Sequence, residues 1–365
     1  MSGTILHAGD RPAVQARSFW DDLPRPFFVV APMANATDTA FRRVITECSS
    51  PHAVYTEFTS VAGLCSRGAP RLMVDLEFAE CERPVIAQFF GSVPEQFRRC
   101  AELAVELGFD GVDINMGCPD RAVLRQKAGA ALIRDPDLAV EIIDATRAGA
   151  GDLPVSVKTR IGDASDIVEE WIGRLLGARP AAIAIHARTI KERSEVPAHW
   201  DAVRRACELA HGTGVPIVGN GDVRSLEQGR ALAAETGADG VMIGRGVFGN
   251  PWLFSAAGGP GDLRVAVETM LAHALVYDLL FAGRKNFVDM RRHFKAYVGG
   301  FHGARRLRME LMETRSVADV ERIVGPVIGA ESLRRAHDRA HALASADAWA
   351  TRRNGAVELT VKTAG

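Results

Sequence analysis

The chain has 365 residues, more than one ordinary domain needs, so a large domain and a smaller one are expected. Hydrophobic residues make up 47% and charged residues 24%, an ordinary globular composition. The formal net charge of −1 gives no support to a globally basic nucleic-acid protein, so any nucleic-acid footprint must be local. None of the six cysteines (Cys48, Cys65, Cys81, Cys100, Cys118, Cys207) forms a CxxC pair, and no Cys/His cluster has zinc spacing. They read as reduced thiols, and no metal is expected. Met1-Ser2-Gly3-Thr4 does not open a signal peptide, and no apolar run is long enough to span a bilayer. A cytoplasmic location with no membrane partner is expected.

Residues 1–20 read as an N-terminal extension. Short apolar runs then follow at 27–31, 53–58, 84–90, 111–115, 154–159, 181–186, 215–219 and 240–244. They are continuous rather than alternating, as parallel strands covered on both faces require. Helical patterns fill most intervals. In 94–107, Phe97, Ala101, Ala104 and Leu107 recur at helical spacing before a stop at Gly108; 136–148 and 225–236 repeat the theme. The stretch 59–83 is irregular and reads as a loop before or around a helix. This order predicts an α/β fold, a (β/α)₈ TIM barrel over 21–257, with a doubly wound open sheet as the rival. Gly258-Gly259-Pro260-Gly261-Asp262 marks a boundary. Beyond it, helices are predicted over 263–281, 287–298, 305–313, 317–324 and 331–344. They form a smaller C-terminal all-helical domain over 258–345, followed by a tail at 346–365.

Polar residues ill-suited to a core cluster at the ends of these strands, where a barrel enzyme builds its site. Pro32-Met33 follows the first strand and Gln88 lies late in the third. Asn115-Met116-Gly117-Cys118-Pro119 closes the fourth, Lys158 and Arg160 the fifth, His186 and Arg188 the sixth. Gly219-Asn220-Gly221-Asp222 ends the seventh and Gly244-Arg245-Gly246 the eighth. Glycine turns after strands seven and eight let backbone N–H groups approach an anion, and Arg245 adds a charge-assisted donor. The bland alternative, tight turns alone, suits one such turn better than two in both expected loops. A phosphorylated cofactor or substrate is predicted.

These motifs, with Ala31-Pro32-Met33, Val157-Lys158-Thr159-Arg160 and His186-Ala187-Arg188-Thr189, resemble the ordered signature of the dihydrouridine synthases. The resemblance covers about residues 27–255, and the basic helical segment beyond is also similar. Glu195 to Trp200 departs from the family's form and receives no role. The resemblance implies FMN, reduced by NADPH, and reduction of the C5–C6 bond of specific uridines in RNA, with tRNA the expected class. Hydride reaches C6 from the flavin, and the thiol of Cys118 protonates C5. A thiol is mostly protonated near neutral pH, as an acid must be. Cys48, Cys100 and Cys207 read instead as buried core residues.

By the same resemblance, Lys158 and His186 place positive charge beside the reduced flavin. Gln88 meets its pyrimidine edge, and Pro32 and Met33 lie against its ring. Asn220, Gly221, Gly244 and Arg245 hold the phosphate. Asp222, which repels phosphate, is assigned to backbone or ribitol. Asn115, Arg160 and Arg188 contact uracil or RNA phosphates. Between residues 284 and 308, Arg284, Lys285, Arg291, Arg292, Lys295, Arg305, Arg306 and Arg308 face a single acid, Asp289. A solvated helix face is the usual reading of a charge run. The one-sided charge makes this stretch the expected RNA handle, with Arg291, Arg292 and Lys295 in contact and Tyr297 stacking on a base or ribose. A monomer is expected. Three alternatives stay open: an FMN reductase of a free pyrimidine, akin to dihydroorotate dehydrogenase; a noncatalytic RNA-binding barrel; and a phosphate-binding isomerase or aldolase.

Overall fold

The computed structural model describes residues 18–299 and 303–345. The tail at 346–365 and residues 1–17 of the expected extension lie outside them. Nine strands form the sheet: β1 (Phe27–Val30), β2 (Val54–Tyr55), β3 (Thr59–Ser60), β4 (Val85–Phe90), β5 (Gly111–Met116), β6 (Val155–Arg160), β7 (Ile183–His186), β8 (Ile217–Asn220) and β9 (Gly240–Ile243). Their order is β1-β9-β8-β7-β6-β5-β4-β2, with β3 paired to the far end of β4. A parallel bridge from Val29 to Ala53 joins β1 to the chain entering β2 and closes the ring. The architecture is therefore a TIM barrel, and the open-sheet rival falls. β2 and β3 share one stave. It breaks at residues 56–58, where the Thr56 hydroxyl takes the Gln88 N–H (3.0 Å) that a strand carbonyl would otherwise accept.

Alternation along each strand separates two cores. Phe27, Val29, Tyr55, Ile86 and Met242 fill the barrel's inside. Phe28, Val30, Val85 and Ile114 face outward beneath the helices. The helices α1 (Thr39–Cys48), α2 (Pro94–Leu107), α3 (Pro136–Ala150), α4 (Val168–Gly177), α5 (Trp200–Ala210) and α6 (Leu226–Thr236) cover the wall. Their ends follow local chemistry. Pro94 opens α2, and Gly108 closes it in the left-handed region at φ 76°. Ser225 caps α6 by accepting the Gln228 N–H at 3.1 Å.

One boundary differs from expectation. Trp20, assigned to the extension, is 1% exposed and packs with Phe27 in the barrel's inner core. The C-terminal region is helical, with α7 (Leu263–Phe281), α8 (Arg291–Tyr297), α9 (Ala304–Leu311) and α10 (Val317–Ser345). The two last expected helices both form within α10, parted at a kink where Gly329 takes a non-helical φ of 79°, with Pro326 inside the first. The helical region shares its apolar core with Ala40 and Val44 of α1, which fixes it beside the first loop of the barrel mouth.

Candidate active site

A cavity of about 510 Å³ opens where β1, β6, β7, β8 and β9 end. Pro32, Met33, Lys158, His186, Arg188, Asn220, Gly221, Asp222, Gly244 and Arg245 line it together, although they span more than 200 residues of chain. The barrel brings them together because parallel register aligns the strand ends. Arg160 sits opposite His186, His186 opposite Asn220, and Asn220 opposite Met242.

Lys158 is a half-buried cation of this cavity. Its ammonium donates to Asn220 Oδ1 at 3.3 Å, and Asn220 is itself oriented by donating to the Met242 carbonyl at 2.8 Å. Burial pushes the Lys158 pKa down to about 8, and the Arg160 charge adds to the effect. Between about pH 8 and the ordinary 10.5, the unfolded chain holds this proton and the folded one does not. Lys158 therefore makes folding stability rise with pH across that window. Denaturant titrations of wild type and Lys158→Met are expected to show that rise shrinking in the variant.

His186 does not supply the second positive charge expected of it. Burial first, then the neighbouring Lys158 and arginines, hold its pKa far below the ordinary value. Arg188 Nη1 lies 3.0 Å from His186 Nε2. A guanidinium only donates, so Nε2 accepts and the ring proton sits on Nδ1. His186 thus offers a neutral N–H donor.

Arg188 acts differently from expectation, whereas Asp222 meets a backbone N–H, as expected, and pairs with two guanidiniums besides. Arg188 is 2% exposed. Its Nε donates to the Val196 carbonyl at 2.6 Å, and its Nη2 pairs with Asp222 Oδ2. Every nitrogen has a protein partner, so the structure gives Arg188 a positioning part rather than a substrate contact. Asp222 accepts from the Ala198 N–H (3.0 Å) and from Arg245 Nη2 (2.9 Å) as well. The two guanidiniums neutralise the carboxylate, Arg188 foremost in holding its pKa down, and Asp222 aims the exposed Arg245 across the mouth.

The glycine turns fit a ligand held close to backbone. Gly221 has φ 142°, and an added Cβ would meet Ala198 Cβ at 2.6 Å. Trp200 Nε1 donates to the Gly221 carbonyl at 3.0 Å and fixes the turn. At Gly244 an added Cβ would lie 3.4 Å from both Ala31 Cβ and Met33 Sδ, crowding the apolar edge of the cavity.

Gln88, Asn115, Arg160 and Cys118 do not line the cavity. They form a connected support beside it. Asn115 Oδ1 accepts from the N–H groups of Gly117 (3.1 Å) and Cys118 (2.9 Å). Its amide donates to Gln88 Oε1 at 2.9 Å, and Gln88 donates to Asp113 at 2.7 Å. Arg160 Nε holds the Gly117 carbonyl at 2.8 Å, and its Nη1 holds the carbonyls of Thr189 and Arg193. Gln88 is fully buried, so the structure ties it to Asp113 and Asn115. Cys118 is half-buried, and burial raises its thiol pKa, which keeps the proton on sulfur. Asp113, which anchors this support through Gln88, is the residue that sequence reading missed. A carboxylate inside the apolar run Gly111-Val112-Asp113-Ile114 was the available signal.

The basic stretch divides. Lys285 is buried against Glu57 (2.6 Å) and Asp75 (2.8 Å), and Arg284 pairs with Glu77. Arg291 donates to the Thr314 carbonyl from Nε (3.0 Å) and Nη2 (2.9 Å). Arg292 reaches the Ala34 carbonyl at 3.2 Å. Tyr297 does not stack on a ligand: it and His293 are buried, and His293 packs on Phe41 with centroids 4.6 Å apart. Lys295, Arg305 and Arg306 stay exposed.

Closed barrel, glycine-turn mouth, half-buried lysine and shielded thiol define a TIM-barrel enzyme with its site at the C-terminal strand ends. A family model described as Dihydrouridine synthase (Dus) matches residues 29–330. A probable tRNA-dihydrouridine synthase of Staphylococcus aureus (strain MRSA252) is 39% identical over 314 residues, covering 84% of this chain and 94% of that protein. A probable tRNA-dihydrouridine synthase 2 of Bacillus subtilis (strain 168) is 39% identical over 315 residues, covering 84% and 95%. Among solved structures, a variant of NCR from Zymomonas mobilis is similar at 18% identity and a TM-score of 0.43, covering 64% of this chain and 89% of that one. The chain belongs to the dihydrouridine synthase family, oxidoreductases that reduce uridine in RNA to dihydrouridine.

Proposed function

We propose that this protein reduces the C5–C6 bond of specific uridines in tRNA, as a cytoplasmic monomer, with FMN held at the barrel mouth and NADPH as reductant. The observation that carries the reading is the cavity joining the two glycine turns and Arg245 to the half-buried Lys158. Its residues suit a flavin mononucleotide. Gly221, Gly244 and Arg245 would hold the phosphate, and Pro32 and Met33 would lie against the ring. Lys158 would offset negative charge near N1 and O2, with His186 donating beside it. When bound, the flavin supplies the hydride that reaches C6. Cys118 gives its thiol proton to C5, and the burial that keeps it protonated suits it to that step. Asn115, Gln88 and Asp113 hold the Cys118 loop, and Arg160 anchors it through Gly117. Nucleoside mass spectrometry of tRNA from cells with and without this gene tests the activity. Loss of dihydrouridine at defined positions is expected, and an unchanged profile refutes it. Purified protein that neither carries nor takes up FMN refutes the cofactor.

The RNA handle is proposed on the cations that the fold leaves outward. Lys295, Arg305 and Arg306 replace Arg291 as the group to test, because Arg291 is engaged with Thr314. Mutating all three to Ala is expected to weaken tRNA binding. Each lost phosphate contact flattens the salt dependence of log K by about 0.7–0.9. NADPH-driven flavin reduction should not change. Unaltered affinity and salt slope would place the docking surface elsewhere.

A further inference from the structure

Two cysteines that the reaction does not use meet on the barrel wall. Cys65 follows the single helical turn Val61–Leu64 just after β3, and Cys100 lies in α2. Their contacts are reciprocal. Cys65 Sγ lies 3.9 Å from the Gln96 carbonyl, one turn before Cys100. Cys100 Sγ lies 3.9 Å from the Val61 carbonyl, one turn before Cys65. Each sulfur therefore lies against the helical turn that carries the other cysteine. The two segments are also tightly packed: an added Cβ at Gly91, at the exit of β4, would come within 2.2 Å of Val61 Cγ2.

The pair is asymmetric. Cys65 is half-buried and reachable from solvent, whereas Cys100 is 2% exposed. The hydrogen bond from Cys100 holds the Cys65 pKa down to about 7, against burial, so a large share is thiolate at neutral pH. Cys100 is shifted upward, first because it gives that hydrogen bond and then by burial. An accessible thiolate next to a protonated second thiol is the arrangement of a peroxide-sensitive cysteine with its resolving partner.

We propose that Cys65 and Cys100 form a reversible redox pair, in which Cys65 reacts with a hydroperoxide and Cys100 resolves the product as an intramolecular disulfide. In the first step the Cys65 thiolate attacks one peroxide oxygen. An S–O bond forms, the O–O bond breaks, and hydroxide leaves and is neutralised to water by the proton that Cys65 released to solvent on ionising. In the second step Cys100 attacks Cys65 Sγ. An S–S bond forms, the S–O bond breaks, and the oxygen leaves as water with the Cys100 proton. Two electrons pass from the thiols to hydrogen peroxide, which ends as two waters; a dithiol reductant reverses the change. The bond ties the turn after β3 to α2. From there Ser92 reaches the Gln126 carbonyl (2.8 Å), in the segment that follows the Cys118 loop.

Full-length protein treated with hydrogen peroxide, alkylated and mapped by non-reducing peptide mass spectrometry provides the test. A cross-linked Cys65–Cys100 peptide, two hydrogens lighter than the separate thiols and cleaved by dithiothreitol, is expected. Cys81 is exposed and its pKa is raised, so it serves as internal reference. Cys65 should be consumed about fivefold faster than Cys81 at neutral pH, a greater thiolate fraction partly offset by lower nucleophilicity. In Cys100→Ala, the Cys65 sulfenic acid should persist and be trapped by dimedone. The wild-type map decides the matter if that variant fails to fold. Cys65 and Cys100 both recovered as free thiols after Cys81 has oxidised would overturn the proposal. So would a Cys65 sulfenic acid in wild type with no cross-link.

Discussion

Cys118→Ala is expected to retain FMN and NADPH-driven flavin reduction while dihydrouridine formation falls by about 10²–10⁴-fold, the usual contribution of a general acid. The size of the effect follows from what the site offers in its place. Lys158 and Arg160 are cations whose charge acts on the thiol, and both are held elsewhere: Lys158 by Asn220, Arg160 by the Gly117 carbonyl. The backbone N–H of Cys118 is bonded to Asn115 and does not depend on the side chain. The loop should therefore survive the substitution, and the loss should fall on proton delivery alone. Single-turnover reduction of tRNA, with the flavin spectrum recorded in the same sample, separates the two. A variant with wild-type dihydrouridine yield would remove Cys118 from the mechanism.

Lys285→Met is expected to destabilise the fold by about 3–5 kcal/mol, the range for removing one partner of a buried ion pair. Lys285 and Glu57 side chains are only 14% and 6% exposed, so little water replaces the lost ammonium. Glu57 Oε1 also accepts the Ala36 N–H at 3.2 Å. The bridge thus runs from the helical region through Glu57 into the loop after β1, which carries Pro32 and Met33. Arg292 grips the same loop through the Ala34 carbonyl. FMN affinity should fall together with stability, because the ring side of the cavity loses its support. Denaturant unfolding and FMN titration measure both. The double variant Lys285→Met with Glu57→Gln should recover part of the loss, since the more buried carboxylate is then neutral and Asp75, 26% exposed, is left to water. A cost below about 1 kcal/mol, the scale of an exposed pair, would mean that water reaches the bridge.

The barrel was legible because its signals are local. Apolar runs such as 84–90, the Pro94 and Gly108 that bracket α2, and the Ser225 cap each act within a few residues. The nine residues expected to hold the cofactor that line the cavity were legible for a related reason. Strand-end position in a parallel barrel dictates where they converge, whatever the distance along the chain. Trp20 was missed because it fills the barrel from a segment with no strand or repeat to flag it. The split of the second stave was missed because the competing acceptor, the Thr56 hydroxyl, is chosen by the neighbouring strand.

The amino-acid sequence by itself determined the barrel, its glycine turns and which residues stand at its mouth. The tertiary structure alone decided what each long polar side chain does there. Lys285 finds Glu57 across 228 residues, Arg188 finds Asp222 across 34, and Cys65 meets a helix that begins beyond the next strand. It also decided that His186 is neutral and that Tyr297 is buried. The physical reason is range. Periodicity and capping are set by neighbours in the chain, whereas the partner of a buried charge is whichever group the packed fold leaves within reach, because burial without one costs too much.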